Sequence, residues 1–349
     1  MVYDRVTDND VLAHDRDDRR QFLQHGMAGI LASAQLYGAV AAGPLTGLIA
    51  SSLASNAEAT ALDKTPADAT AGYIDAHSHI WTRDVAQFPL AKGQTVADLQ
   101  PASFTAEEAI ELMKPLGVQR IVLIQHHIYH GWDNSYLIDA ARRYPNVFRV
   151  VGMVDDTAAQ PDQQMRRLLK DKVTAFRITS LIRGAAKWLE GEGMAAMWKC
   201  AAQTRQAMCC LINPEDLPAV GAMCEKNPDT PVVIDHFARI GVTGEIRAAD
   251  VDQLVALAKH KQTAVKVSAF YALGKKKPPY DDMLPFIRRL LDAYGPERLM
   301  WASDCPYQLG AANGYEPALA VIRDRADFLS ASDRQWLLAK TAQRVFYYQ

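Results

Sequence analysis

Eight short apolar segments, separated by longer amphipathic stretches, constrain the fold of this 349-residue chain more than any other feature. Several are apolar nearly throughout, which is typical of strands buried on both faces of a parallel sheet. The predicted strands are Tyr73–His77, Gln119–Gln125, Val147–Val154, Val173–Ile178, Ala207–Ile212, Val232–Asp235, Ala264–Ser268 and Arg298–Ser303. Eight strands that alternate with helices over about 280 residues predict an α/β fold, a single (β/α)8 TIM barrel.

Helix signals lie between these segments. Thr105 and Glu108 predict a capping box at the start of one helix, and Pro115 and Gly117 predict its end. Ser332 is predicted to begin the last helix. The competing fold is a doubly wound open sheet, but the glycine-rich phosphate turn that favours it is missing after every strand. We therefore predict the barrel.

A separate segment precedes the barrel. Residues 1–18 are polar and acid-rich, Arg19-Arg20 follows, and residues 21–57 contain no Asp, Glu, Lys or Arg. Small residues around Ala57-Glu58-Ala59 are typical of a signal-peptidase site. The pattern resembles a bacterial twin-arginine signal, which implies contact with the export machinery and a periplasmic location. We predict an export signal over 1–61, a linker over 62–71 and the barrel over 72–349, with an uncleaved N-terminal anchor as the alternative.

Charge and cysteine content exclude several classes of partner. A formal net charge of −2 gives no electrostatic reason to expect nucleic acid. The five cysteines lack metal-finger spacing, which predicts free buried thiols and no disulfide framework. Pro44 and several glycines interrupt the apolar run over 21–57, so we expect no stable membrane span. A small-molecule substrate is the predicted partner of the barrel.

Polar side chains follow several predicted strands at their C-terminal ends, where TIM barrels place their chemistry. His77 and His79 end the first strand, and the two-residue period of a strand puts both on one side. His236 follows the sixth strand, Asp304 follows the eighth, and Arg177 lies near the end of the fourth. Two imidazoles at positions i and i+2 can share one metal ion or one substrate oxygen. We predict that these side chains meet in one pocket.

Three motifs carry a specific resemblance. The segment 75–81, DAHSHIW, matches a D-x-H-x-H-x-W opening, and the segments 234–239, IDHFAR, and 303–306, SDCP, follow it in order. Over residues 72–345 the chain resembles the amidohydrolase-related (amidohydrolase 2) family of the amidohydrolase superfamily. It is nearest the branch of sugar and pyrone-dicarboxylate lactonases. The resemblance implies the same barrel and a hydrolase.

One position departs from the family pattern. Metal-dependent members carry a histidine near the end of the fifth strand, and Asn213 stands in that place here. Asparagine is a poor transition-metal ligand compared with imidazole. The resemblance implies two alternatives: one divalent ion, with zinc expected, or a metal-independent enzyme because Asn213 replaces that histidine. The implied ligands in the first case are His77, His79, His236 and Asp304.

The leading functional hypothesis is hydrolysis of a lactone or similar ester-like bond in a small acidic or sugar-derived substrate. Asp304 would accept a proton from water, while His77, His79 and His236 polarise the carbonyl. Arg177 suits a substrate carboxylate, because its guanidinium can bind two oxygens at once. Further candidates for substrate contact are His127 and Tyr271. The alternatives are a metal-dependent decarboxylase, a carbon–carbon lyase of the same fold, and a non-catalytic barrel that binds sugars or a partner.

Overall fold

The computed structural model describes residues 72–184, 187–310 and 313–348. Eight parallel strands form one sheet in which each strand pairs with its successor in the sequence. They are β1 Tyr73–Ser78, β2 Val118–Ile124, β3 Phe148–Gly152, β4 Val173–Thr179, β5 Ala207–Leu211, β6 Val232–Ile234, β7 Thr263–Val267 and β8 Leu299–Trp301. All eight predicted strands are present, and their ends differ from the prediction by only a residue or two.

Backbone contacts between the two ends of the sheet bring it nearly to closure. Ser78 forms a parallel bridge with Cys305, just beyond β8. The amide of Asp304 donates to the carbonyl of His77 at 2.9 Å, and the amide of His79 donates to the carbonyl of Cys305 at 2.7 Å. The predicted barrel is therefore confirmed. It closes between the C-terminal ends of β1 and β8, next to His77 and Asp304.

Helices separate the strands and cover the outside of the barrel. The described α-helices are α1 Ala106–Met113, α2 His127–His130, α3 Ser135–Arg143, α4 Pro161–Leu169, α5 Ser180–Arg183, α6 Glu192–Thr204, α7 Leu217–Lys226, α8 Ala248–Ala256, α9 Leu284–Tyr294, α10 Tyr315–Ala320, α11 Ala331–Gln335 and α12 Thr341–Phe346. A π-helical turn over Trp336–Lys340 joins α11 to α12, so that the chain is helical from Ala331 to Phe346.

One predicted helix start is confirmed and another is wrong. Thr105 caps α1, and Glu108 completes the capping box. The last helical segment begins after Ser330, not at Ser332: the Ser330 hydroxyl accepts from the Asp333 amide at 3.1 Å, and the Asp333 carboxylate accepts from the Ser330 amide at 2.9 Å. The reciprocal bonds satisfy two polar groups at the helix start, which favours Ser330 over Ser332 as the cap.

The barrel interior contains many small buried side chains. Alanines contribute to this buried cluster from five strands or strand ends, namely Ala76, Ala175, Ala207, Ala264 and Ala302. Phe346 and Tyr347, at the C-terminal end of α12, belong to the same cluster. The Tyr347 hydroxyl donates to the carbonyls of Ile121 and Val147, each at 2.8 Å. The C-terminal residues thus close the end of the barrel opposite the strand ends that carry His77 and Asp304.

Three further predictions concern the chain outside the strands. All five cysteines are free and buried, as predicted. In the described part of the chain, no helix has the length and apolar character needed to cross a bilayer. The predicted export signal over 1–61 and the linker over 62–71 lie outside the described residues, so these boundaries stay predictions.

Candidate active site

A bulge near the end of β1 helps to place the two histidines of the first motif. Asp75 pairs with Ile121 of β2, but Ser78 pairs with Leu123, so that β1 uses one more residue than its partner. Such a bulge breaks strict alternation and re-aims the side chains beside it. His77 and His79 are both buried.

Asp75, the first residue of the motif, stabilises the fold through hydrogen bonds of its carboxylate. Its carboxylate accepts hydrogen bonds from the Ser303 amide at 2.9 Å, the His77 amide at 3.1 Å and the Tyr315 hydroxyl at 2.8 Å. Burial raises the pKa of Asp75 to about 6, although these hydrogen bonds favour the carboxylate. Asp75 therefore ties β1 to the segment that follows β8.

A left-handed turn positions His236 after β6. His236, Phe237, Ala238 and Arg239 all have positive φ, between 50° and 57°. This conformation costs roughly 1–2 kcal/mol per non-glycine residue, so packing must impose it. Phe237 and Ala238 are fully buried, and the Ser268 hydroxyl lies 2.8 Å from His236 Nδ1. The backbone strain is therefore located at the turn that orients the His236 side chain.

The structure brings together the four residues that the sequence predicted to meet. Asp304 Oδ1 lies 3.5 Å from the Nε2 atoms of both His77 and His79. It lies 3.7 Å from His236 Nε2, and the Nε2 atoms of His77 and His79 are 3.3 Å apart. One carboxylate oxygen therefore faces three imidazoles in a buried pocket.

Burial and proximity decide which of these groups carry charge. Burial holds the pKa of His77 well below its usual range, lowers that of His79, and lowers that of His236 to about 4. Burial opposes ionisation of Asp304, but its three histidine neighbours outweigh burial and hold its pKa below the usual range. The pocket therefore places a carboxylate that can accept a proton beside three imidazoles.

Tyr271 and Arg177 both contact this group. The Tyr271 hydroxyl donates to Asp304 Oδ2 at 2.7 Å, which leaves Oδ1 facing the histidines. Arg177 Nη2 lies 2.8 Å from His77 Nε2 and 3.3 Å from Asp235 Oδ2. Both residues were predicted as substrate contacts, and the structure places both within the pocket.

Sequence reasoning missed Lys266 and the partner role of Asp235. Lys266 Nζ lies 3.0 Å from Asp235 Oδ1 and 3.2 Å from His77 Nδ1, and both Lys266 and Asp235 are fully buried. A signal was present, because a lysine in the middle of an otherwise apolar strand needs a buried partner. The sequence did not identify that partner, since Asp235 follows the neighbouring strand β6.

His127 was predicted to contact substrate. Its Nδ1 lies 3.0 Å from the carbonyl oxygen of Gly131, and its ring packs on Trp132. The neighbouring His126 lies nearer to the four converging residues, with its ring centroid 5.3 Å from that of His79 and its Nε2 bonded to the Tyr307 hydroxyl. Substrate contact by His127 stays a prediction.

A possible metal site exists by distance. His77, His236 and Asp304 offer ligand atoms that all lie within 4.8 Å of one another. The surroundings of His77 do not fit a ligand, however, because a lysine ammonium faces one ring nitrogen and a guanidinium faces the other. Asn213 supplies no replacement among these contacts: its Oδ1 accepts from Arg239 at 3.0 Å. As a set, these donors do not fit a tightly held divalent ion.

A TIM barrel with histidines and an aspartate converging at its strand ends defines a class of enzymes that includes many hydrolases. A family model described as amidohydrolase matches residues 74–347, and the chain belongs to this family. The match spans the described barrel and confirms the family predicted from the motifs.

Two curated relatives are lactone hydrolases by name. The chain is 28% identical over 241 residues to a 4-sulfomuconolactone hydrolase of Rhizobium radiobacter, covering 68% of this chain and 76% of that protein. It is also 28% identical over 239 residues to an L-fucono-1,5-lactonase of Burkholderia ambifaria, covering 67% of this chain and 80% of that protein.

Solved structures confirm the fold. A probable 2-pyrone-4,6-dicarboxylic acid hydrolase from Acinetobacter baumannii, with citric acid bound, superposes with a TM-score of 0.67 at 19% identity, covering 79% of this chain and all of that one (100%). An amidohydrolase from Burkholderia multivorans, with bound zinc, gives a TM-score of 0.63 at 22% identity, covering 79% of this chain and 99% of that one. At these identities the likeness concerns the barrel alone.

Proposed function

We propose that this amidohydrolase-family enzyme opens a lactone or similar ester-like bond in a small acidic or sugar-derived substrate. The observation that carries the proposal is the ionised Asp304 carboxylate within 3.7 Å of three buried imidazoles. This arrangement combines a proton acceptor with polar groups that can surround a carbonyl oxygen. The names of the two curated relatives support the same bond type.

The reaction begins when water attacks the carbonyl carbon and Asp304 accepts the proton that the water loses. Negative charge then develops on the carbonyl oxygen. The Ser268 hydroxyl can donate to Nδ1 of His236, and in that tautomer the ring proton is on Nε2 and can be donated to that oxygen. When the ring carbon–oxygen bond breaks, Asp304 returns the proton to the leaving oxygen, and the product is a hydroxy acid.

Cationic side chains suit an acidic substrate. The guanidinium of Arg177 lies against His77 and keeps donors that can bind a substrate carboxylate. An acidic substrate is consistent with the 4-sulfomuconolactone named for one relative. Every step proposed above uses side chains of this chain alone.

Replacing Asp304 tests the reaction. We expect Asp304→Asn to lower kcat/KM for lactone hydrolysis by about 100- to 10,000-fold, which is the usual contribution of a general base, while the circular dichroism spectrum shows that the variant keeps its fold. The substrates would be L-fucono-1,5-lactone and lactones that carry a carboxylate or sulfonate. Asp229→Asn, at an exposed position, is the matched control. Wild-type turnover in Asp304→Asn would reject the mechanism, and carbon dioxide release from aromatic acids without lactone hydrolysis would favour a decarboxylase.

We also propose that residues 1–61 direct export by the twin-arginine route and that the enzyme works in the periplasm. The support is the sequence pattern itself: Arg19-Arg20, a mildly apolar run without charges, and small residues around Ala57 and Ala59. This route carries folded proteins, which suits a barrel whose site joins residues from distant strands.

A further inference from the structure

Lys266 is a buried cation that the proposed reaction does not use. It lies on β7, is fully inaccessible to solvent, and has its Nζ 5.4 Å from the centre of the Phe346 ring. Its polar neighbours are Asp235 Oδ1 at 3.0 Å and His77 Nδ1 at 3.2 Å. Burying a lysine is costly, so these contacts must offset its desolvation.

Arg177 faces the other nitrogen of His77, with Nη2 at 2.8 Å from Nε2. A neutral imidazole has one N–H and one nitrogen lone pair. If the proton is on Nε2, the lone pair on Nδ1 faces the ammonium of Lys266. If the proton is on Nδ1, the lone pair on Nε2 faces the guanidinium of Arg177. In either tautomer the single lone pair of His77 is directed at a cationic donor and is not free for a metal ion.

His79 shows the opposite arrangement. Its Nδ1 lies 2.9 Å from the carbonyl oxygen of Ile124, which can only accept a hydrogen bond. The proton of His79 is therefore on Nδ1, and the lone pair on Nε2 is directed into the pocket. A histidine that binds a metal usually donates its second ring N–H to such an acceptor. His79 meets that requirement, whereas His77 does not.

The charges of the pocket lead to the same conclusion. The cations Lys266 and Arg177 both pair with the carboxylate of Asp235, and all three side chains are buried. A divalent ion would add two positive charges beside two buried cations that already face His77. Such an excess is unfavourable in a medium of low dielectric constant.

We propose that Lys266 is a positioning residue that prevents His77 from acting as a metal ligand, so that Lys266 and Arg177 form an internal cation pair in place of a divalent ion. The inference concerns the same site as the proposed hydrolysis, but it does not depend on which bond is cleaved. Its test therefore measures metal affinity.

The test compares full-length wild type with Lys266→Met, which keeps an unbranched side chain and removes the charge. In the variant no ammonium opposes a proton on Nδ1 of His77, which faces Asp235 Oδ1 at 3.7 Å in the wild-type structure. A metal ion then competes only with Arg177 for the lone pair on Nε2. We expect Lys266→Met to bind Zn²⁺ and Co²⁺ about 10- to 100-fold more tightly than wild type, in competition with a chelator. The Co²⁺ complex of the variant should also gain visible absorption typical of a tetrahedral site. Lys261→Met, at an exposed position before the same strand, is the matched control and should leave affinity unchanged.

His77→Ala is the second variant, and its effect in the wild-type background tests the proposal even if Lys266→Met does not fold. In the wild-type background, His77→Ala should leave the weak metal affinity unchanged, because His77 is not a ligand. In the Lys266→Met background, His77→Ala should abolish the gain. The proposal is overturned if His77→Ala weakens metal binding in the wild type, if Lys266→Met binds no more tightly than wild type, or if purified wild type retains one tightly held ion after dialysis against chelator.

These outcomes are separate from those that test hydrolysis. Lactone turnover that survives the chelator supports both proposals, whereas turnover that requires added Zn²⁺ overturns the internal cation pair and leaves hydrolysis standing. A wild type without lactone activity, together with the expected metal affinities, rejects the reaction and keeps the role of Lys266.

Discussion

The three histidines of the pocket are chemically different because each Nδ1 has a different neighbour. His79 faces the carbonyl of Ile124, His236 faces the hydroxyl of Ser268, and His77 faces the ammonium of Lys266. A carbonyl can only accept, an ammonium can only donate, and a hydroxyl can do both. The motif that contains two of these histidines therefore specifies their place but not their tautomers.

Tyr271 provides a test at this scale, because its hydroxyl donates to Asp304 Oδ2. A hydrogen bond to a charged group contributes about 1.5 kcal/mol or more, so we expect Tyr271→Phe to lower kcat by about 10-fold or more with little change in KM. Steady-state kinetics on the lactone substrates measure both values. Tyr73→Phe, on the first strand, is the control. A raised KM with unchanged kcat would instead make Tyr271 a substrate contact, as the sequence predicted.

At the scale of elements, the regular strands bring the site residues to one end of the barrel, and local irregularities of the backbone orient their side chains. The bulge in β1 and the left-handed turn after β6 lie where His77, His79 and His236 enter the pocket. Asp304 also has a positive φ, of 62°. Because non-glycine residues rarely adopt this conformation, the fold stores backbone strain at these positions.

The start of the last helical segment gives a prediction for an element outside the site. Ser330 accepts from the Asp333 amide, whereas Ser332 lies within the first turn of α11. We expect Ser330→Ala to lower the free energy of unfolding by about 1 kcal/mol, because an N-cap hydrogen bond is lost. Ser332→Ala should be neutral or slightly stabilising, since alanine has the higher helix propensity. Urea unfolding of the two variants measures the difference, and the reverse order would contradict the cap assignment.

At the scale of the whole molecule, the barrel joins residues that are far apart in the chain. His77 and Asp304 come from opposite ends of the domain, and closure of the sheet between β1 and β8 places them 3.5 Å apart. The C-terminal helix then fills the other end of the barrel with Phe346 and Tyr347. The pocket therefore depends on formation of the complete barrel.

The proposed export of the folded barrel predicts a specific dependence on the arginine pair. We expect Arg19→Lys/Arg20→Lys, in a bacterial host with an active twin-arginine system, to abolish the periplasmic pool, because this route reads the pair itself and not its charge. Arg5→Lys/Arg16→Lys makes the same number of exchanges and should leave export intact. Immunoblots of periplasmic and cytoplasmic fractions measure the result. Equal periplasmic amounts in both variants would refute the proposed route.

The eight strands, the barrel and the convergence of His77, His79, His236 and Asp304 were predictable from the sequence. The two-residue period and the apolar pattern of a strand are local properties of the sequence. Catalytic residues of TIM barrels lie at the C-terminal ends of the strands, so these positions can be found once the strands are predicted. The start of the last helix was misplaced because two serines lie near it, and only the reciprocal hydrogen bonds distinguish Ser330 from Ser332.

Sequence alone thus determined that His77, His79, His236 and Asp304 reach the pocket. The tertiary structure decided what each of them can do there, since charge state and tautomer depend on neighbours from other strands. Lys266 is the clearest case: its ammonium meets His77 from 189 positions away, and no local pattern encodes that contact. The physical reason is that the donor within about 3 Å of a ring nitrogen determines whether that nitrogen accepts a hydrogen bond. Only closure of the barrel brings such a donor to that distance.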